Sequence, residues 1–322
     1  MGLALPVLAI VVGLVGLVFG ADRFVFGASN FARRLGVSPL IVGMVIVGFG
    51  TSAPEMLVSA MAAIDSNGGI ALGNVVGSNI TNIGLVLGVA ALIKPLDLHR
   101  DVVRRELPVV LLVTALVAVL LIDNALTMRD GGMLVAFMIL FMIRTIRVGR
   151  AANEEEEDDK DSKPLVGYGR ASIWLVVGLS LLLVSSRGVV WGASAIATTL
   201  GVSDLIIGLT IVAIGTSLPE LAASVASAIK GEHAMAIGNV LGSNVFNLLA
   251  VLPFPAFLDP GELEPGLLER DYVMMGAITI LLMLFALGRK GRISRIQGGV
   301  FLLVYTGYVT LLVLSEMGRV SI

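Results

Sequence analysis

Two glutamates of this chain lie inside long apolar stretches, where charge is costly. Glu55 ends the segment Gly-Phe-Gly-Thr-Ser-Ala-Pro-Glu, and Glu220 ends Ala-Ile-Gly-Thr-Ser-Leu-Pro-Glu. A charge at membrane depth costs at least about 2.5 kcal/mol, so such residues mark ion or substrate paths. The preceding Pro54 and Pro219 each break a helix and free carbonyl oxygens beside the carboxylate and the Thr and Ser hydroxyls. Hard cations such as Na⁺ and Ca²⁺ take oxygen ligands of these kinds.

A second polar motif follows each glutamate by about twenty residues. It reads Gly-Asn-x-x-Gly-Ser-Asn-x-x-Asn and begins at Gly73 and at Gly238. Within it one Asn, the Ser and the last Asn are four residues apart and share a helix face. We expect this polar stripe to face the helix break of the preceding span, and the two glycines of each motif to permit close approach.

These motifs supply the candidate cation ligands. Two carboxylates carry the charge that balances one Ca²⁺ or two Na⁺, and neutral oxygens can complete the six to eight ligands that Ca²⁺ favours. Mg²⁺ fits less well, because it dehydrates reluctantly. The predicted ligands are Thr51, Ser52, Glu55, Ser78, Asn82, Thr216, Ser217, Glu220, Ser243 and Asn247.

Each group also has a structural interpretation. The glutamates could be protonated or paired with arginine, but no Arg or Lys recurs at a matched depth in both halves. The Ser and Asn residues could simply join helices by hydrogen bonds. That interpretation is strongest for Asn79 and Asn244, which lie off the stripe.

The elements that must position these residues are transmembrane helices. The chain has 322 residues, of which 57% are hydrophobic and only 14% charged. Apolar runs of about 20 residues, each able to cross the bilayer, recur from end to end. The sequence therefore predicts an all-α polytopic membrane protein with about ten spans, at 3–33, 38–64, 70–93, 106–122, 128–147, 171–199, 203–229, 234–258, 271–288 and 296–315.

Composition also limits the partners. A net charge of −2 indicates no nucleic-acid partner, and the lack of cysteine excludes disulfides, thiolate metal sites and cysteine nucleophiles. We expect no cofactor, and no enzymatic activity: an intramembrane hydrolase using the carboxylates would lack a plausible metal cluster with histidine.

The two halves of the chain are repeats. Glu55 and Glu220 are 165 residues apart, and the same offset relates Leu35-Gly-Val-Ser to Leu200-Gly-Val-Ser and Gly73 to Gly238. Five spans in each half reverse the second half relative to the first, which predicts inverted repeats with a site at their interface. The predicted domains are residues 1–150 and 171–322, joined by an acidic linker at 151–170.

The distribution of basic residues predicts the orientation. Lys and Arg in short loops stay cytoplasmic. Basic residues follow every odd-numbered span, whereas the alternate loops are poor in them. We therefore expect both termini outside and the central linker in the cytoplasm.

At these motifs the chain resembles the cation/calcium exchanger superfamily, and most closely its bacterial inner-membrane, sodium/calcium antiporter-like branch. The resemblance covers nearly the whole chain. It implies alternate binding of Ca²⁺ and Na⁺ at Thr51, Glu55, Ser78 and Asn82 and at Thr216, Glu220, Ser243 and Asn247. It also implies alternating access by sliding of spans one and six, in a prokaryotic inner membrane, with a monomer as the transport unit.

One position departs from the family pattern. An archaeal member of known structure has Asp where this chain has Asn247, so the coupling ion stays open between Na⁺, H⁺ and a K⁺-involving exchange. A cation channel is the alternative from another class; it would conduct faster than a carrier and show no counter-transport.

Overall fold

The protein is a bundle of helices, seen in a computed structural model that describes residues 3–98, 102–153, 166–201, 208–288 and 291–316. The helices are α1 Ala4–Leu35, α2 Pro39–Thr51, α3 Ala53–Ile64, α4 Gly68–Ile93, α5 Leu107–Leu120, α6 Met128–Asn153, α7 Tyr168–Thr199, α8 Thr210–Thr216, α9 Leu218–Lys230, α10 His233–Leu258, α11 Val273–Ala286 and α12 Arg295–Glu316.

These helices make ten spans within the described residues, as predicted. Six are long and apolar enough to cross a membrane alone, and the pairs α2–α3 and α8–α9 each form one bent span. The remaining two, α5 and α11, are lengthened by preceding π-helical turns at Val102–Glu106 and Leu267–Tyr272. The chain is thus an all-α polytopic membrane protein of two inverted five-span repeats.

The centre of the bundle is formed by α4 and α10, the equivalent helices of the two repeats. They are the most deeply buried of the long helices. Both carry a π-helical turn that starts at the last Asn of the polar stripe, Asn82–Leu87 in α4 and Asn247–Val251 in α10. These turns were not predicted from the sequence. Turns of this kind are common at functional sites.

The two long helices α1 and α7 pack against each other in a symmetric way. Gly27 of α1 lies against the backbone of Leu175, and Gly192 of α7 lies against the backbone of Ile10. Each residue of one contact is 165 positions from its equivalent in the other. A Cβ atom on either glycine would collide with the facing helix, so glycine is required for this close approach.

The connecting loops pair in two groups. Strand β1, Leu96–Asp97, pairs with β4, Arg292–Ile293, and both belong to loops predicted to be cytoplasmic. Strand β2, Ala125–Leu126, pairs with β3, Gly261–Glu262, and both belong to loops predicted to be external.

The predicted acidic linker is described only at its edges. Helix α6 continues to Asn153 and α7 begins at Tyr168, so both helices extend into the range 151–170. Residues 154–165 lie outside the described part of the chain.

Candidate cation-binding site

Both predicted helix breaks are present, and both place a glutamate at the start of a helix. The α2–α3 pair bends by 43° and the α8–α9 pair by 50°. Ser52 and Ser217 are the hinge residues, and Pro54 and Pro219 lie in the first turn of the following helix. Glu55 and Glu220 are in that same turn, where the positive end of the helix dipole stabilises a carboxylate.

The two glutamates are fully buried, and most of their oxygens have no hydrogen-bond partner. Both carboxylate oxygens of Glu55 and Oε2 of Glu220 are unpartnered, and Oε1 of Glu220 accepts a long hydrogen bond, 3.5 Å, from the Ser52 hydroxyl. The carboxylates are near enough to repel one another when both are charged. Among the described residues no third acidic or histidine side chain joins them. A buried carboxylate without partners needs either a cation or a proton.

Three further unpartnered oxygens belong to predicted ligands. They are Oδ1 of Asn82, Oδ1 of Asn247 and Oγ of Ser217, each buried without a hydrogen bond. Buried polar groups are normally satisfied, so a cluster of unsatisfied oxygens needs an explanation such as an ion. The unpartnered set consists of acceptors drawn from both repeats, which is the donor set expected for a hard cation.

An asparagine network fixes how these amide oxygens are presented. Asn247 donates from Nδ2 to Oδ1 of Asn79 at 3.1 Å, and Asn82 donates from Nδ2 to Oδ1 of Asn244 at 3.1 Å. Asn79 and Asn244 donate in turn to each other's backbone carbonyls. Because the nitrogens of Asn82 and Asn247 are engaged, their oxygens are left for a ligand. Asn79 and Asn244 are thus part of the site, although they lie off the predicted stripe.

The first residue of each stripe holds a glutamate helix in place. Asn74 donates to the backbone carbonyl of Glu55 at 3.2 Å, and Asn239 donates to that of Glu220 at 3.1 Å. Each amide also donates to a buried serine one turn further, Ser59 at 2.9 Å and Ser224 at 2.8 Å. The stripe therefore faces the break, as predicted. The two serines were not identified from the sequence, although they too are 165 residues apart.

The remaining predicted ligands lie in the same buried region, with different partners. Thr51 donates to the carbonyl of Val47 at 3.0 Å and lies 3.2 Å from Oδ1 of Asn239. Ser243 donates to the carbonyl of Gly48 at 3.4 Å, and Thr216 to that of Ala213 at 3.1 Å. Ser78 is buried on the same face of α4. Several backbone carbonyls near the breaks thus accept hydrogen bonds from these hydroxyls.

A cavity of about 800 Å³ reaches this region. Its wall includes Asn74, Thr216 and Ala213 at the site, and Asn67 and Glu264 at its mouth. The mouth residues belong to the loops predicted to be external. Thr216 thus lines the cavity, whereas its equivalent Thr51 is completely buried.

The opposite side is closed by close packing of α2 on α10. A Cβ atom on Gly238 or Gly242 would collide with the backbone of α2, from Leu40 to Met44. The equivalent glycines of α4, Gly73 and Gly77, have nothing within 4 Å of such an atom and line the cavity. The two glycine pairs have the same spacing, but the pair in α10 packs against α2, whereas the pair in α4 faces the cavity.

The fold and this one-sided polar centre define a membrane ion exchanger of the inverted-repeat type. A family model described as sodium/calcium exchanger protein matches residues 5–147 and 171–314. The chain therefore belongs to the sodium/calcium exchanger family, whose members are transporters.

Individual relatives agree with this. The chain is 45% identical to a protein named as a candidate antiporter, CaxA, of Alkalimonas amylolytica, over 94% of this chain and 97% of that protein. It is 39% identical to the inner membrane protein YrbG of Escherichia coli, over 93% of each. It is also similar to a solved structure of the sodium-calcium exchanger NCX_Mj, with a TM-score of 0.85 and 34% identity over 96% of this chain and 99% of that one.

Proposed function

We propose that the protein is an antiporter that exchanges Ca²⁺ for Na⁺, binding them competitively at one central site. The observation that carries the proposal is the set of buried, unpartnered oxygens contributed by Glu55, Glu220, Asn82, Asn247 and Ser217. Two carboxylates neutralise one Ca²⁺ or two Na⁺, and no other described charge does so at this point.

The ten predicted ligands take different roles in this proposal. Glu55 and Glu220 supply the charge, and Asn82 and Asn247 supply oriented amide oxygens. The remaining neutral oxygens come from the hydroxyls of Thr51, Ser52, Ser78, Thr216, Ser217 and Ser243. A hydroxyl that donates a hydrogen bond keeps oxygen lone pairs with which it can bind the ion. Their number allows the six to eight ligands that Ca²⁺ favours.

Transport proceeds by alternating access between two states related by exchange of the repeats. The cavity at Asn67 and Glu264 opens outward in the predicted orientation, with both termini outside and the linker 151–170 between halves 1–150 and 171–322 in the cytoplasm. Spans α1 and α7 slide over the other eight to close this cavity and open the opposite side. The protein works in a prokaryotic inner membrane, with one chain as the transport unit.

Radioactive Ca²⁺ uptake into proteoliposomes tests the proposal. With Na⁺ inside and none outside, we expect uptake that disappears when internal Na⁺ is replaced by choline. Empty liposomes and the double variant E55Q/E220Q serve as controls. Uptake that persists without any counter-ion, at rates above those of a carrier, would instead identify a channel.

A second candidate is a proton-coupled, or K⁺-involving, exchanger of the same fold. The observation that favours it is the amide at position 247, which donates to Asn79 and leaves only two titratable groups in the site. This candidate predicts Ca²⁺ uptake driven by a pH gradient, or by K⁺, in Na⁺-free medium.

A further inference from the structure

An ion pair connects α1 to the closed side of the protein. Lys230, the last residue of α9, lies with its Nζ atom 2.9 Å from Oδ1 of Asp22 in α1, and it also donates to the backbone carbonyl of Asp22. Asp22 has a weaker contact with the neighbouring Arg23, at 3.7 Å. Because α1 packs along α7, this ion pair connects both long helices to the side of the protein that is closed in this structure.

A charge-reversed copy of this pair exists at the equivalent positions. The offset of 165 residues, which relates the contacts of Gly27 and Gly192 within α1 and α7, carries Asp22 onto Arg187 and Lys230 onto Asp65. The acid Asp22 of the first half thus corresponds to a base of the second half, and the base Lys230 of the second half corresponds to an acid of the first. Either combination can form an ion pair.

Only one of the two equivalent pairs is formed. The side chains of Arg187 and Asp65 are both exposed, and among the described residues neither takes part in an ion pair. Asp65 follows the last residue of α3, on the side where the cavity opens. The missing pair therefore lies on the open side, just as the formed pair lies on the closed side.

We propose that the two ion pairs alternate during transport. Asp22–Lys230 holds the state seen here, and Arg187–Asp65 forms in the opposite state as Asp22–Lys230 separates. The proposal rests on the proposed function, because in inverted-repeat transporters each half adopts in one state the arrangement of the other half in the alternate state. Each pair then stabilises the state in which its own side is closed.

Glu232 makes a second connection between α1 and this side. Its Oε1 accepts from the Ser29 hydroxyl at 2.6 Å and from Arg33 at 3.1 Å. This contact remains when Lys230 is replaced, so the loss of the ion pair shifts the balance of states without abolishing either one. Partly exposed pairs contribute modestly, and we expect a shift of about fivefold in the ratio of the two states.

A single cysteine can report the shift, because the chain has none of its own. Val309 lines the cavity and is not a proposed ligand. In V309C proteoliposomes, the rate of labelling by a membrane-impermeant maleimide follows the open cavity. We expect K230Q to slow labelling, by at most about fivefold, R187Q in the K230Q background to restore it, and the charge swap D22K/K230D to restore it as well. R170Q, which removes a charge from α7 that has no equivalent acid, should change nothing.

Cross-linking tests the unformed pair directly. A short bis-maleimide should join D65C and R187C in the double variant, and more efficiently when K230Q is added. Absence of this cross-link in both backgrounds, or unchanged labelling in K230Q, would overturn the alternation. Exchange is measured separately on the same V309C proteoliposomes. Intact labelling shifts without Na⁺-driven Ca²⁺ uptake would refute the proposed function and leave the alternating ion pairs standing.

Discussion

Asn79 and Asn244 each donate a hydrogen bond to the other's backbone carbonyl oxygen, at 3.3 and 3.4 Å. The two residues are 165 positions apart, so this contact maps onto itself when the repeats are exchanged. A contact of this kind can persist in both states of the proposed transport cycle. In the proposed cycle, the crossing of α4 and α10 is therefore the part that stays fixed.

Other contacts do not map onto themselves. Ser52 approaches Glu220, whereas the equivalent hydroxyl of Ser217 has no partner. Backbone packing closes on Gly242 but not on Gly77. In the proposed cycle, these are the contacts that exchange between the two states.

The asparagine network predicts the effect of a carboxylate at position 247. In N247D the side chain can no longer donate to Oδ1 of Asn79, and two acceptor oxygens then face each other unless a proton or a cation intervenes. We expect an altered dependence of Ca²⁺ uptake on internal Na⁺ and on pH, with Ca²⁺ binding retained. Uptake titrations in proteoliposomes measure both dependences.

The symmetric variant N82D is the matched control for this prediction. It removes the equivalent hydrogen bond to Asn244 and adds the same charge from the other repeat. We expect a comparable change in both variants. If N247D leaves both profiles as they are in the unmodified protein, the amide at 247 has a structural role only.

The two glutamates should be essential for transport but not for folding. E55Q and E220Q keep the size of the side chain, remove one charge, and supply an amide nitrogen that faces neighbouring oxygens. We expect each variant to express normally and to lose Na⁺-driven Ca²⁺ uptake. E264Q removes a charge from the mouth of the same cavity and should retain uptake. Normal uptake in E55Q or E220Q would refute the site.

Much of this architecture was predictable from the sequence, because polar residues are rare in apolar membrane spans and their positions are therefore informative. The ten spans, the repeats and the breaks at Pro54 and Pro219 follow from apolar length, a constant offset and proline chemistry. The placement of the Asn74 and Asn239 stripes against the breaks also followed from helical spacing. Burial of the glutamates on facing repeats needed no further information.

The rest depends on pairwise geometry that a single sequence does not contain. Asn79 and Asn244 lie off the stripe by helical spacing, yet π-helical turns begin just after them and their amides meet across the repeat axis. The sequence also does not predict which side is open, because Gly73 and Gly238 have the same local sequence and different neighbours. The offset of 165 was the only available signal for Ser59 and Ser224.

Protons should compete with the transported cations. Ca²⁺ binding requires both carboxylates to be ionised, since each protonation removes one negative charge from a buried site with only two. We expect equilibrium binding of radioactive Ca²⁺ by the purified protein to weaken as the pH falls, with added Na⁺ having the same direction of effect. Binding that is independent of pH across the stable range would place the ion elsewhere.

The glycines of α4 and α10 should bias the protein towards opposite states. In G242A the new methyl group collides with the backbone of Met44, so the state seen here is destabilised by about 1–3 kcal/mol, the typical cost of overpacking. That corresponds to a shift of about 5- to 150-fold between states. In G77A the methyl group meets nothing here, but it would obstruct the segment that ends at Leu209, the equivalent of Met44, when that segment closes on α4 as α2 now closes on α10.

The expected results therefore have opposite signs for the same chemical change. With the V309C reporter, G242A should slow labelling of the cavity, whereas G77A should keep it fast and reduce Ca²⁺ exchange by preventing closure. G132A is the control, because that glycine also has nothing within 4 Å of an added Cβ atom and is not among the residues that line the cavity. If G77A exchanges Ca²⁺ at the normal rate, closure of this segment onto α4 is not part of the cycle. If G242A and G77A shift labelling in the same direction, the two glycine pairs do not gate opposite sides.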